Sequence, residues 1–327
     1  MAIDAAHVQH ARPAPEEVTG ANRHHAIVFL ALVLLVAVAP FVVYPVFAMK
    51  VLCFGLFAAA FNLLLGYGGL LSFGHAAFFG AGGYISAHMA KVWGLSPELA
   101  ILGGTVTAAV LGLAFGALAI RRQGIYFAMV TLAFAQMVYF FALQAPFTGG
   151  EDGIQAVPRG EFLGLFSLAD DLALYVLVAA IFLVGVLIIY RIIHSPFGQV
   201  LKAIRENEPR AISLGYQVQR YKLMVFVLSA TLAGLAGATK AIVFQLASLT
   251  DVNWTMSGEV VLMTLIGGPG TVFGPLVGAT VIVTLQNYLA SMGAWVTVVQ
   301  GAIFVVCVML FREGIVGVIG RWLKRPL

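Results

Sequence analysis

Charge is what this sequence has least of. Only 10% of its 327 residues are Asp, Glu, Lys or Arg, against roughly 25% in water-soluble domains, so the chain cannot cover a soluble globule. With 61% hydrophobic residues and a mean hydropathy of +0.99, disorder is excluded as well, and lipid becomes the solvent. Cysteine is nearly missing. Cys53 and Cys307 each sit alone in an apolar run, so a disulfide framework or a Cys/His metal set is not expected, and packing roles are. Nucleotide and hydrolase signatures are missing too. The nearest approach to G-x-x-x-x-G-K-[ST], beginning at Gly234 and reaching Lys240, misplaces its second glycine and lacks the final hydroxyl. There is no H-E-x-x-H and no G-x-S-x-G, and no cofactor or catalytic residue is expected. The formal net charge of +4 invites an anionic partner. Its basic residues cluster between apolar runs, however, which is the pattern of membrane topology and not of nucleic-acid binding.

What is there is a series of apolar runs: residues 26–44, 46–65, 70–90, 97–120, 125–145, 172–193, 221–244, 271–290 and 295–311. Each approaches the roughly 20 residues that one bilayer crossing requires. The run 26–44 reads as a retained helix, since Pro40 directly follows the cleavage-like Ala37-Val38-Ala39. A shorter run, 257–266, precedes Gly267-Gly268-Pro269-Gly270 and is either half of a broken span or a re-entrant piece. With residues 1–25 as a cytoplasmic tail, Arg12, Arg23, Arg121, Arg122, Arg191, Lys202, Arg205, Arg210, Arg220 and Lys222 fall inside, while Lys50, Lys91 and Arg159 fall outside or at the outer edge. Arg312, Arg321, Lys324 and Arg325 also ask for the inside, which requires an even count. The expectation is an all-α polytopic membrane protein of about ten segments, including broken or re-entrant helices. Its membrane domain covers 26–312, with a second cytoplasmic tail over 313–327.

Two stripes of small residues, Gly104, Ala108, Gly112 and Gly116, and Ser72, Ala76, Gly80 and Gly83, let helices approach closely, within the chain or against a partner subunit. Ser72 and His75 lie close enough in sequence to raise intramembrane hydrolysis, but no second element or oxyanion site accompanies them. Lys240 should reach the outer interface and snorkel there, with or without a salt bridge to Glu259, the alternative being a substrate contact. The loop 194–220 is rich in both charge signs. Ser195-Pro196 opens a helix to about Glu206 with Phe197, Leu201 and Ile204 as its apolar face. Pro209 restarts a second helix with Ala211, Ile212 and Leu214, ended by Gly215. The flanking Arg205, Glu206, Glu208 and Arg210 give an apolar knob a charged rim, which suits a groove on another protein or a hairpin folded back on its own helices. Opposite lies the largest outer loop, where Thr148, Gly149, Gly150, Glu151, Asp152 and Gly153 form either a contact for a basic partner or a solvated turn.

From Leu63 to Gly278 the chain resembles the permease subunit of ATP-binding-cassette importers for branched-chain amino acids, the LivM type. The carriers are the stretch from Gly66 through His75 to Tyr84, Gly124–Leu132, Thr148–Ile154, Ser195–Glu208 with Ala211 and Gly215, and Gly267–Gly278. Pro209-Arg210 departs from the Glu-Ala-Ala of the broad importer loop pattern. The resemblance implies an importer permease fold in the inner membrane with both termini cytoplasmic, and a loop that docks on an ATPase. It also implies a second permease of the LivH type, two ATP-binding subunits and an external binding protein that delivers leucine, isoleucine, valine or a related amino acid. Breaks at Gly66, Gly68 and Gly69, at Gly80 and Gly83, and at Gly267, Gly268 and Gly270 are expected to let helices bend along the pathway, near Ser72 and His75. A sister importer for urea or short amides is the neighbouring reading; a self-contained carrier or channel is the reading from another class.

Overall fold

The computed structural model describes residues 15–162, 164, 166–289, 293, 295–310 and 314–322. Arg12, Arg312, Lys324, Arg325 and the adjoining parts of both expected tails lie outside the described residues, as do the side chains of Arg23, Cys307 and Arg321. The chain is helical almost throughout. In order come α1 (Pro15–Val42), α2 (Pro45–Asn62), a π-helical turn (Leu63–Tyr67), α3 (His75–Lys91), α4 (Pro97–Ala119) and α5 (Ile125–Gln144). After a loop come α6 (Asp171–His194), α7 (Pro196–Glu206), α8 (Glu208–Ser213), α9 (Val218–Phe244), α10 (Leu249–Val252), α11 (Trp254–Gly267), α12 (Gly274–Leu289), α13 (Trp295–Leu310) and α14 (Gly314–Trp322). Among the described residues, five helices are long and apolar enough to cross a membrane: α2 with its π-turn, α4, α5, α6 and α9. Proline at the first turn starts α2, α4 and α7, where its missing N–H costs nothing.

The core is built on α2 and α9, whose apolar windows are 83% and 72% buried, whereas α5 is 22% buried and stands at the edge. Close backbone approach explains how α3 and α4 fit against α9. A methyl group added at Gly112 would come within 2.6 Å of the Ala230 Cβ, and one at Gly104 within 2.3 Å of the Gly82 carbonyl oxygen. The small-residue stripe of α4 is therefore spent inside the chain.

One expectation from the sequence changes, and two others take definite form. The run 70–90 is helical only from His75, because residues 68–74 are irregular, with Gly68, Leu70, Ser72 and Gly74 buried. Side chains meet backbone donors at the end of this stretch and in the first turn of α3: Phe73 N–H by Thr131 Oγ1 at 3.1 Å, Gly74 N–H by Ser72 Oγ at 3.1 Å and Ala76 N–H by Ser257 Oγ at 2.9 Å. Irregular backbone is tolerated in a membrane protein where protein groups satisfy it in this way. The run 257–266 is the body of α11, whose 14 residues reach about 21 Å, short of a core of about 30 Å. It turns back through 268–273 into α12. The expected tails are helical where described: α1 already begins at Pro15, and α14 packs Val316 against α11 and α12.

The loop after α5 carries two 3-10 turns, Pro146–Thr148 and Gly150–Asp152, then β1 (Ile154–Gln155), β2 (Glu161–Phe162) and β3 (Phe166–Ser167). β2 pairs with β3, and β1 pairs antiparallel with β4 (Leu246–Ala247), with Ile154 opposite Ala247. This ties the loop to the far end of α9.

Candidate functional site

The α7–α8 hairpin is built from local rules. Ser195 Oγ accepts the Gly198 N–H at 3.3 Å and opens α7, and Asn207 Oδ1 accepts the Arg210 N–H at 3.0 Å and opens α8. α8 ends in a Schellman motif, with Gly215 N–H bonded to the Ile212 carbonyl at 2.9 Å and Tyr216 N–H to the Ala211 carbonyl at 3.2 Å. Gly215 has φ +86°, in the left-handed region that favours glycine. Leu201 and Ile204 are buried, and Phe197 stacks on Tyr221 at 5.6 Å.

The rim divides into two groups. Ala211 is 3% exposed and packs with Ile204 and Val218, so it belongs to the hairpin's own core and not to a docking surface. Glu208 is likewise held within the chain, by Lys222 at 2.8 Å and Gln123 at 3.2 Å. Ile212 and Leu214 are 58% and 68% exposed, beside exposed Glu206 and Arg210. These four form the outward surface.

Arg205 connects the hairpin to the helix breaks. Its Nη1 donates to the Gly66 carbonyl, and a methyl group added at Gly270 would lie 3.2 Å from the same nitrogen. Gly69, at φ +67°, leaves 3.1 Å between such a methyl and Arg205 Cγ. The two breaks, more than 200 residues apart in sequence, are also joined directly: Asn62 Nδ2 donates to the Thr271 carbonyl at 2.8 Å, and Gly270 N–H donates to Asn62 Oδ1 at 2.9 Å. α14 reaches the same junction, with Gly314 set against Gly268. The sequence separated Gly66, Gly68 and Gly69 from Gly267, Gly268 and Gly270. The fold makes them one joint, with the hairpin's arginine in it. Asn62 was missed; a lone amide inside an apolar run was the available signal.

Other expected site residues have different places. Gly80 and Gly83 lie in the unbroken interior of α3, against Val252 and the Gly237 carbonyl, and are packing residues, not breaks. His75 does not meet Ser72. Its Nε2 lies 2.8 Å from Ser229 Oγ, which itself donates to the Ala60 carbonyl at 2.6 Å, so the ring proton belongs on Nε2. Phe61, Phe78 and Phe226 enclose the ring edge-on and it is 0% exposed, which leaves no access for a substrate. Ser72 is equally buried and serves the start of α3. Lys240 pairs with Asp251, at 2.8 and 2.6 Å, and not with Glu259, which instead accepts from Gln286 at 2.9 Å. The spacing Ser248-x-x-Asp251 of a capping box was the overlooked signal for Asp251.

In the outer loop, Thr148 is 2% exposed and donates back to the Ala142 and Ala145 carbonyls, so it closes α5 and faces no partner. Gly149 and Gly153, both at positive φ, fit against each other and against Ala247. Gly150, also at positive φ, makes the turn between them. Glu151 and Asp152 remain as the exposed charges of the segment.

Among the described residues the hairpin joins an exposed apolar knob to a junction between two interrupted helices. A family model described as branched-chain amino acid transport system / permease component matches residues 43–308. The high-affinity branched-chain amino acid transport system permease protein LivM of Escherichia coli (strain K12) is 26% identical over 277 residues, 78% of this chain and 65% of that protein. The chain thus spans slightly less than two thirds of that relative's length. The ribose import permease protein RbsC of Bacillus subtilis (strain 168) is 30% identical over 239 residues, 68% of this chain and 70% of that protein. A probable branched-chain amino acid transport permease protein LivH of Methanocaldococcus jannaschii is 24% identical over 281 residues, 78% of this chain and 86% of that protein. No solved structure matches. With a match across 43–308 and a helical, multi-pass build, the chain belongs to the branched-chain amino acid transport system permease family.

Proposed function

We propose that this chain is one permease subunit of an ATP-driven importer and forms part of the pathway for leucine, isoleucine, valine or a related amino acid. An external binding protein delivers the substrate, and a second permease of the LivH type completes the pathway. Two ATP-binding subunits grip the α7–α8 hairpin from the cytoplasm, where both termini also lie. The inner membrane is the expected location.

The observation that carries this reading is the link from hairpin to joint. Ile212 and Leu214 offer a partner an apolar hold, and Arg205, one helix earlier on the same hairpin, is bonded to Gly66 at one break and lies beside Gly270 at the other. A push on the knob is delivered to the two places where helices can bend. Energy reaches the pathway as motion, in keeping with the absence of a nucleotide motif from the sequence.

The test uses the assembled transporter in proteoliposomes. Gly215→Asp, or removal of residues 212–214, abolishes ATP-dependent leucine uptake while the binding protein still takes up leucine. Liposomes holding this chain alone that carry leucine down a gradient would overturn the proposal. Competition of leucine uptake by excess urea would move the assignment to the amide importers.

A further inference from the structure

The end of the molecule opposite the hairpin holds a cleft of about 300 Å³ between α2, α9, α10, α11 and α12. Its lining includes Lys50, Lys240, Asp251 and Glu259, in a protein whose helices otherwise carry few charges. Two lysines and two carboxylates sum to zero, so the cleft as a whole favours neither a cation nor an anion. They do not form two equivalent pairs. Lys240 and Asp251 are bonded to each other, and Asp251 further accepts the Ser248 N–H at 3.3 Å and its Oγ–H at 3.2 Å. That pair is spent on the fold.

Lys50 and Glu259 differ from it. Each is the sixth residue of its helix, α2 and α11, and both helices run toward the joint at Gly66 and Gly270. Each therefore sits about 8 Å along its helix, at about 1.5 Å per residue, and both line the cleft. Among the described residues Lys50 makes no hydrogen bond or ion pair, though it lies within electrostatic reach of Glu259 and Lys240. Glu259 accepts one bond, from Gln286. If these charges served packing alone, a direct Lys50–Glu259 pair would be the arrangement of low cost in a partly apolar cleft. The helices hold them apart instead, and Phe54, Phe244 and Met256 supply an apolar wall beside them.

We propose that this cleft binds a free amino acid with an apolar side chain, Glu259 receiving its ammonium group and Lys50 its carboxylate. The assignment rests on the import reading above and deepens it by naming contacts in the pathway. A phosphatidylethanolamine headgroup carries the same two charges, so the experiment separates the two sources.

Thr250 lies exposed on the rim of the cleft and serves as a reporter. Thr250→Cys, in a chain with Cys53→Ala and Cys307→Ala, is assembled with its partner subunits in nanodiscs of phosphatidylcholine and phosphatidylglycerol. Labelling by a thiol-specific methanethiosulfonate is then timed. Millimolar leucine is expected to slow labelling at least fivefold, whereas isopentylamine and 4-methylpentanoate, each lacking one charge, leave the rate unchanged. Lys50→Gln or Glu259→Gln removes the protection; Lys50→Arg and Glu259→Asp retain it. Leu246→Cys, at a second lining position, repeats the measurement should Thr250→Cys assemble poorly. No protection by any apolar amino acid in a preparation whose leucine uptake is intact overturns the site and leaves the import reading standing. Protection by an apolar amino acid in an assembled complex that fails to import supports the site while the import reading falls. Protection by added phosphatidylethanolamine and not by leucine assigns the charges to a lipid and overturns the proposal.

Discussion

On the inward face of the α7–α8 hairpin, Ala211 is 3% exposed and Glu208 is bonded to Lys222; on the outward face, one residue further along, Ile212 is 58% exposed. Successive residues of a helix differ by about 100° in direction, so neighbours in sequence have opposite duties. Inward residues determine whether the hairpin stays attached to the membrane helices. Outward residues determine what can hold it. Substitutions on the two faces should therefore separate stability from coupling.

The largest effect is expected where the inward face ends, at the joint. Asn62→Leu strands the partly buried Gly270 N–H and Thr271 carbonyl, each at the low end of the buried-group penalty, about 1 kcal/mol. Thermal unfolding in detergent should begin several degrees earlier, and an unchanged midpoint would mean the breaks are not held by this amide. Glu208→Gln comes next. It deprives Lys222, whose side chain is 9% exposed, of its carboxylate. With Glu208 itself 27% exposed, the loss is discounted to about 1–2 kcal/mol. A double-mutant cycle with Lys222→Met reads the pair directly, and additivity would dissolve it.

On the outward face the comparison predicts almost no change in stability. Ile212→Ser combined with Leu214→Ser should stay within about 0.5 kcal/mol of the parent in the same melt. Receptor-stimulated ATP hydrolysis by the assembled complex should nevertheless fall to its unstimulated level. A destabilised double variant with intact hydrolysis would exchange the roles of the two faces. The smallest effect belongs to Glu206 and Arg210. Raising salt from 0.05 to 0.5 M should weaken ATPase capture by this subunit only a few-fold, measured by co-purification, since exposed charges are screened over about a Debye length.

Legibility in the sequence follows the range of the forces involved. Ser195-Pro196, Pro209 and Gly215 announce the hairpin because caps and turn residues act within one helical turn. Apolar runs likewise announce most membrane helices. The start of α3 was misplaced by five residues because Leu70, Leu71 and Phe73 are as apolar as any helix, while Ser257 and Thr131, which make an irregular stretch affordable, come from other helices. His75 looked to Ser72, three residues away, and found Ser229 across 154 positions. Lys240 looked to Glu259 and found Asp251, because the short α10 folds back beside the end of α9. Exposure within α8 was hidden for the same reason: the apolar residues Ala211, Ile212 and Leu214 read alike until α7 and α9 cover one of them.

The late start of α3 has a consequence for biosynthesis. Ala76 depends on a hydroxyl 181 positions downstream, and a ribosome adding about 5–20 residues per second needs roughly ten to forty seconds to deliver it. Until Ser257 emerges, that N–H has no protein acceptor, and bare hydrocarbon would penalise it by several kcal/mol. The first third of the chain must therefore wait beside water or an insertion factor, and the nascent protein acquires its final shape only after α11 has been made.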